Sequence, residues 1–140
     1  MNTIECDVLV IGAGAGGLST AITARKAGLD VIVAEKEEVF GGTTAFSGGV
    51  LWVPGSAYGK KQNAADTREA ARQYLKNETG DFFDAGAVDA FLDNAPQMVE
   101  WFERETSVKF VPTLYPDYHP TVPGGVDIGR SILAAPFDIR

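Results

Sequence analysis

The sequence predicts an α/β protein built around a central parallel sheet. Three observations predict it: an apolar strand pattern over residues 4–11, a helical stretch over 15–27 that stops at Gly28, and a second apolar strand pattern over 31–35. The strand patterns are nearly continuous in Val, Leu and Ile, which is typical of parallel strands covered on both faces. A helix that joins two such strands forms a βαβ unit, and this unit is complete by Glu35.

The loop between the first strand and the helix has the glycine spacing of a phosphate-binding loop. Gly12 permits a sharp turn, Gly14 permits close approach of a pyrophosphate, and Gly17 permits close packing of the helix. The start of the helix then offers free amides and a positive dipole end to an anion. The candidate binding residues are Gly12, Ala13, Gly14, Ala15, Gly16 and Gly17.

Glu35 ends the second strand, 18 positions after Gly17. A carboxylate at this place accepts hydrogen bonds from ribose hydroxyls and repels a 2′-phosphate, which favours FAD or NAD over NADP. Glu35 and its neighbour Lys36 are therefore candidate cofactor residues. The alternative is a tight strand-to-helix turn that binds no ligand.

A second glycine-rich segment, Gly-Gly-Thr-Thr-Ala-Phe-Ser-Gly-Gly over residues 41–49, follows within a few positions. Bare backbone flanked by hydroxyls suits a long cofactor whose pyrophosphate and flavin ring lie along one loop. FAD fits this segment better than NAD. The candidate residues here are Gly42, Thr43, Thr44, Ser47, Gly48 and Gly49.

The later elements are predicted from periodicity and caps. A short strand is expected over 50–53, with Trp52 as a packing residue, and a helix capped by Asp66 is expected to end near Thr79–Gly80. Pro96 interrupts the next helix, so this helix kinks or a second helix capped by Asn94 begins there. Its apolar face comprises Val88, Phe91, Leu92, Ala95, Met98, Val99 and Phe102.

The chain resembles the flavoprotein subunit family of fumarate reductases and succinate dehydrogenases, and within it the 3-ketosteroid dehydrogenases. The resemblance covers essentially all 140 residues and rests on the segment 41–49, Leu-Trp-Val-Pro-Gly at 51–55, Pro-Asp-Tyr at 116–118 and Gly-Arg-Ser at 129–131. It implies a Rossmann-like FAD-binding domain, incomplete at its C-terminal side. It also implies an FAD-dependent oxidoreductase that dehydrogenates a 3-ketosteroid-like substrate, with hydride transfer to the flavin.

The resemblance also implies one catalytic residue in this chain. Tyr118 matches a tyrosine that, in the steroid enzymes, assists a second tyrosine acting as the base on the steroid A ring. That base lies beyond residue 140 in such proteins. His119, the next residue, is interpreted either as a proton relay or as an ordinary loop histidine. Arg130 is interpreted either as an anion-binding residue or as a surface residue.

The resemblance implies noncovalent FAD, because no histidine lies near the Thr- and Ser-rich loop where relatives attach their flavin covalently. Proteins of this family are much longer, so we expect an N-terminal portion of an FAD-binding domain that is inactive on its own and folds poorly with unpaired strand edges. Within it we expect a βαβ cradle and flavin loop at 1–58, a helical segment at 59–107 and a Pro- and Tyr-rich loop region at 108–140.

The composition of the chain argues against a nucleic-acid partner and against a transmembrane segment. The net charge is −7 and no basic cluster is longer than a pair such as Lys60-Lys61, so a nucleic-acid partner is not expected. The apolar runs are too short for a transmembrane segment, and without a signal-peptide pattern a cytoplasmic location is expected. We predict a small-molecule substrate of the steroid class, no metal site and an electron acceptor that the sequence does not identify. The alternatives are a fumarate reductase-like enoate reductase and a non-catalytic flavin-binding fragment.

Overall fold

A computed structural model of the chain describes residues 3–138. The chain forms two compact units, the first ending at Gly49 and the second beginning at Val50. Among the described residues, no helix is both long and apolar enough to cross a membrane.

The first unit is the predicted βαβ unit followed by a 3-10 turn. Strands β1 and β2 are parallel, with Val8 opposite Val31 and Ile11 opposite Ala34. The elements are β1 (Val8–Ile11), α1 (Ala15–Lys26), β2 (Val31–Ala34) and a 3-10 turn (Gly42–Phe46). The parallel sheet and the connecting helix confirm the predicted α/β class.

The first strand differs from the prediction in length and burial. It begins at Val8 rather than at residue 4, because the amides of Asp7 and Val8 both donate to the carbonyl of Asp30 and the ladder starts there. In β1 the side chain of Val10 is buried, whereas Leu9 and Ile11 are 58% and 76% exposed. Since successive side chains in a strand point to opposite faces, Val10 faces α1 and its neighbours face away from it.

The second unit packs helices on a three-stranded antiparallel sheet with the order β3-β5-β4. Its core contains Val53, Ala95, Val99, Phe110 and Ile132. The elements are β3 (Val50–Trp52), α2 (Ala57–Gln62), α3 (Arg68–Thr79), a 3-10 turn (Gly80–Phe82), α4 (Ala85–Glu105), β4 (Phe110–Pro112) and β5 (Ser131–Ala134). The strands β4 and β5 lie in the region predicted as loop, and β5 provides the centre of the sheet.

The predicted cap at Asp66 is wrong, and of the two alternatives at Pro96 the second helix capped by Asn94 is not formed. Thr67, not Asp66, caps α3, since its side chain accepts a hydrogen bond from the amide of Ala70. The carboxylate of Asp66 instead pairs with Arg130. Asn94 starts no second helix: its side-chain amide donates to the carbonyl of Ala90 within the single helix α4.

Most of the predicted apolar face of α4 packs into the core, whereas Phe91 of that face is 40% exposed. Leu92, Ala95 and Val99 are buried, and Met98 and Phe102 pack partly buried beside them. Pro96 lies inside this helix without ending it. One continuous helix therefore covers one side of the core of the second unit.

Candidate functional site

The loop between β1 and α1 requires glycine at two of its predicted positions. Gly12 has a φ of +93°, which only glycine adopts readily, so the chain can turn directly after the strand. A Cβ on Gly17 would lie 1.9 Å from the carbonyl oxygen of Gly12. The amide of Gly12 donates to the carbonyl of Ala34 at 2.7 Å and ties the loop to the end of β2. The start of α1 is therefore packed directly onto the turn.

Helix α1 begins at this loop with a bare N-terminus. Its N-cap residue is Gly14, which has no side chain, and Ala15, Gly16 and Gly17 follow in the first turn. A Cβ on Gly16 would meet nothing within 4 Å, so the space beside the helix start is open. The first amides of a helix have no partner within the helix, and the dipole adds positive potential. This end of α1 suits an anionic group such as a pyrophosphate.

Glu35 is held at the same loop by backbone amides. Its Oε2 accepts from the amide of Ala13 at 2.6 Å, and its Oε1 accepts from the amides of Lys36 and Glu37 at 2.8 and 3.1 Å. These bonds, with that of Ala13 the largest contribution, hold the pKa of Glu35 below its ordinary value. The carboxylate stays ionised and keeps lone pairs for a ribose. The side chain of Lys36 lies at the surface, where its Nζ is 3.2 Å from Glu37 Oε1.

The second glycine-rich segment folds against the first. The amide of Gly41 donates to the carbonyl of Ala13 at 2.8 Å, and a Cβ on Gly42 would lie 3.4 Å from the Cα of Gly14. The amide of Ala15 donates to Thr44 Oγ1 at 3.4 Å. Both glycine segments therefore meet at the start of α1.

The remaining candidates in this segment form its outer turn. Ser47 Oγ donates to the carbonyl of Thr44 at 2.8 Å and accepts from the amide of Gly49 at 3.1 Å. Thr43 and Gly48 are exposed beside them. The segment thus presents backbone and hydroxyl groups to solvent next to the bare helix end.

These residues fit FAD. The space that a Cβ on Gly16 would occupy is open, the helix end suits a pyrophosphate, and the ionised Glu35 has acceptor capacity for ribose hydroxyls. We name the residues from 12 to 17, Glu35 and the segment 41–49 together the glycine cradle.

The second unit contains a buried polar group that the sequence did not predict, the Arg130 cluster (Arg130, Asp66, Asp117, Trp52 and Tyr74). The Arg130 side chain is 1% exposed, and its Nε and Nη2 donate to Asp66 at 2.9 and 2.6 Å. Its Nη1 donates to Asp117 Oδ2 at 2.8 Å. The guanidinium carbon lies 5.6 and 5.7 Å from the ring centres of Trp52 and Tyr74.

Both interpretations of Arg130 from the sequence are therefore wrong. It is not a surface residue, and its guanidinium faces two carboxylates of the same unit rather than an external anion. Trp52 is more than a packing residue, since its Nε1 donates to Asp117 Oδ1 at 2.7 Å. Neither contact has a local sequence signal, because Asp66 and Trp52 lie more than 60 residues from their partners.

Asp117 fixes the backbone directly before Tyr118. Its carboxylate accepts from Trp52, from Arg130 and, at 3.1 Å, from the amide of Val126. Its own amide donates to the carbonyl of Val126 at 3.0 Å. Side chain and backbone of this residue are both held.

His119 holds the other side of Tyr118. Its amide donates to the hydroxyl of Tyr74 at 3.5 Å, and its Nδ1 lies 2.9 Å from Glu78 Oε2. Burial raises the pKa of Tyr74, so that hydroxyl stays protonated. Tyr118 lies between two fixed residues, and it is itself 96% exposed.

Tyr118 lines an open cavity of about 630 Å³ within the second unit. Its walls are mostly apolar, and its titratable lining residues are acids and phenols. The lining comprises Val50, Trp52, Tyr74, Leu75, Glu78, Tyr115, Pro116, Asp117, Tyr118 and Ser131. An uncharged apolar molecule suits such walls better than an anion.

Comparison with known proteins gives a family and several relatives. The family described as "FAD binding domain" matches residues 7–138. A 4-oxocyclohex-2-ene-1-carboxylate 5-dehydrogenase of Sinomonas cyclohexanicum is 51% identical over 99% of this chain and 23% of its own length. A 3-oxosteroid 1-dehydrogenase of Mycobacterium tuberculosis is 42% identical over 100% of this chain and 25% of its own length.

One solved structure is similar over nearly the whole chain. It is the 3-ketosteroid Δ1-dehydrogenase of Sterolibacterium denitrificans in complex with 1,4-androstadiene-3,17-dione, with a TM-score of 0.88 and 36% identity. The alignment covers 97% of this chain and 24% of that structure's chain. The chain therefore spans about a quarter of the length of these relatives.

Proposed function

The chain belongs to the family of FAD-binding domains, its cofactor is FAD, and we propose that the protein containing it dehydrogenates a cyclic ketone. The observation that carries the proposal is the similarity of the whole chain to cyclic-ketone dehydrogenases, at 51% and 42% identity. The reaction removes a proton beside the ketone and a hydride from the next carbon, which leaves a conjugated double bond. Bound FAD supplies the acceptor for that hydride.

The glycine cradle is the part of this chain proposed to hold the cofactor. The amides at the start of α1 bind the pyrophosphate, and Glu35 binds the ribose. The backbone of Gly42, Gly48 and Gly49 and the hydroxyls of Thr43, Thr44 and Ser47 would hold the remainder of the cofactor. All of these contacts are noncovalent.

Tyr118 is the proposed catalytic residue. Tyr118 lines the cavity, and its hydroxyl can donate to, or accept from, a base that takes the substrate proton. The fixed residues on each side of Tyr118 support this role, because proton transfer needs a defined donor–acceptor geometry.

The proposed substrate is an uncharged ketone of the steroid class. The cavity contains Glu78 and Asp117, and no Lys or Arg is among its lining residues in the described part of the chain. A substrate carboxylate would meet Glu78 with no cation among the described lining residues, since the Asp117 carboxylate is already paired with Arg130. The second candidate is a carboxylated cyclohexanone, which is favoured by the 51% identity to a dehydrogenase of such a compound.

Replacing Tyr118 with Phe tests the proposal in the FAD-loaded protein from the complete reading frame. We expect dye reduction with a 3-ketosteroid, and we expect Y118F to lower kcat by about 10²- to 10⁴-fold while FAD absorbance is retained. Y115F is the matched control, since Tyr115 lines the same cavity but has no proposed proton role. Dye reduction is also measured with 4-oxocyclohexanecarboxylate as the substrate. In a third assay, the oxidation of reduced dye is measured with fumarate.

The outcomes separate the candidates. Turnover with only the carboxylated ketone would select the second candidate, and oxidation of reduced dye by fumarate would select an enoate reductase. A flavin-containing protein inactive with all three compounds would leave cofactor binding alone.

Replacing Glu35 with Ala is expected to weaken FAD binding by about 10- to 100-fold, because hydrogen bonds to a charged acceptor are lost. Flavin fluorescence titration measures the affinity, and E38A, an exposed acidic residue in the same segment, is the control. Hydrogen bonds from backbone amides, that of Ala13 first, hold the pKa of Glu35 below its ordinary value, so its contribution is present above that ordinary value and is lost as the pH falls through the lowered pKa. Equal affinities for E35A and E38A would contradict the ribose role.

A further inference from the structure

We infer that Asp117 is a positioning residue that aims the hydroxyl of Tyr118 through its contacts with Arg130 and Trp52. The inference rests on the catalytic role proposed above for Tyr118. It adds a second residue to that role, one that does not itself need to touch the reacting atoms.

The surroundings of Asp117 require a carboxylate. Trp52 Nε1, Arg130 Nη1 and the amide of Val126 all donate, and they reach both oxygens of the carboxylate. An asparagine of the same shape would place its NH₂ group against at least one of these donors. The side chain of Asp117 is 1% exposed, so water cannot take over a lost contact at low cost.

The contacts of Asp117 are themselves anchored. Arg130 is fixed from its other side by two hydrogen bonds to Asp66. Trp52 belongs to β3, and its ring stacks on Phe91 of α4 with a centroid distance of 6.2 Å. Asp117 is thus connected to the sheet and to a core helix.

Tyr118 depends on this anchoring because its own side chain is 96% exposed. The backbone sets the Cα–Cβ direction of an exposed side chain and so limits the positions that its hydroxyl can reach. Here that backbone is held by Asp117 on one side and by His119 on the other. A loosened Asp117 would let the phenol move away from the geometry that proton transfer needs. Displacements of about 1 Å in such geometry lower rates by about 10²-fold.

The test is a double-mutant cycle with D117N and Y118F in the FAD-loaded protein from the complete reading frame. We expect D117N to lower kcat by about 10- to 100-fold with little change in KM and with FAD absorbance retained. In the Y118F background, the same change should alter kcat by less than about threefold, because there is no hydroxyl left to aim. D93N is the matched control, an aspartate paired with Arg68 at the surface.

The outcomes distinguish this inference from the proposed function. Equal fold losses from D117N in both backgrounds would overturn the inference and leave the role of Tyr118 intact. An unchanged kcat in Y118F would overturn the role of Tyr118 first.

A second variant covers the case in which D117N does not fold. W52F keeps an aromatic ring, removes the donor to Asp117 Oδ1 and gives up part of the ring packing on Phe91. We expect it to lower kcat by about 3- to 10-fold in the native background and by a clearly smaller factor in Y118F. The same loss in both backgrounds would overturn the inference.

Discussion

Replacing Gly17 with alanine is expected to abolish FAD binding. The added Cβ would lie 1.9 Å from the carbonyl oxygen of Gly12, and that carbonyl belongs to backbone rather than to a movable side chain. Helix α1 must then shift away from the turn, and its amides leave the site of the pyrophosphate. Overpacking of this kind lowers the free energy of unfolding by about 1–3 kcal/mol or more. The purified variant should lack visible flavin absorbance and should not regain it with added FAD.

The control for this prediction is G86A. Gly86 also lies in the first turn of a helix, but its added Cβ would lie 3.4 Å from Oδ1 of Asp84, a side-chain atom at an ordinary contact distance. This variant should bind FAD like the native protein. Normal flavin content in G17A would show that α1 does not form the phosphate site.

Replacing Arg130 with methionine should destabilise the second unit by about 3–5 kcal/mol, because the change leaves buried carboxylates without their cation. Asp117 and Asp66 are both buried, with side-chain exposures of 1% and 8%, and both rely on this guanidinium. We expect a lowered unfolding midpoint, with a change in the fluorescence of Trp52, which lies in the same cluster.

R68M is the matched control for the Arg130 prediction. Arg68 also contacts two aspartates, Asp89 and Asp93, but its side chain is 38% exposed. Water replaces the lost contacts there, so the effect should be much smaller. Unfolding curves that coincide for R130M and R68M would contradict the structural role given to the Arg130 cluster.

The βαβ unit was predictable because its signals are local. The apolar runs at 8–11 and 31–34, the glycines between them and the acidic end of β2 lie within about thirty residues, and each has its own steric or electrostatic reason. The helix face of α4 was predictable for the same reason, since its period repeats along one segment.

The Arg130 cluster was not predictable in this way. Asp66 stands directly before Thr67, and both residue types cap helices well, so sequence alone could not decide between them. The preference for Thr67 follows from a tertiary contact, because Asp66 is occupied by an arginine 64 residues away. The strands β4 and β5 were missed for a related reason: each is only three or four residues long and is defined by its pairing.

The most direct measurement for the central claim is anaerobic mixing of the FAD-loaded protein with a 3-ketosteroid, with the flavin absorbance followed over time. The account predicts that the flavin is bleached in a single turnover and that the steroid product contains one more double bond. Flavin absorbance that stays unchanged with both the steroid and the carboxylated cyclohexanone would contradict the assignment as a cyclic-ketone dehydrogenase.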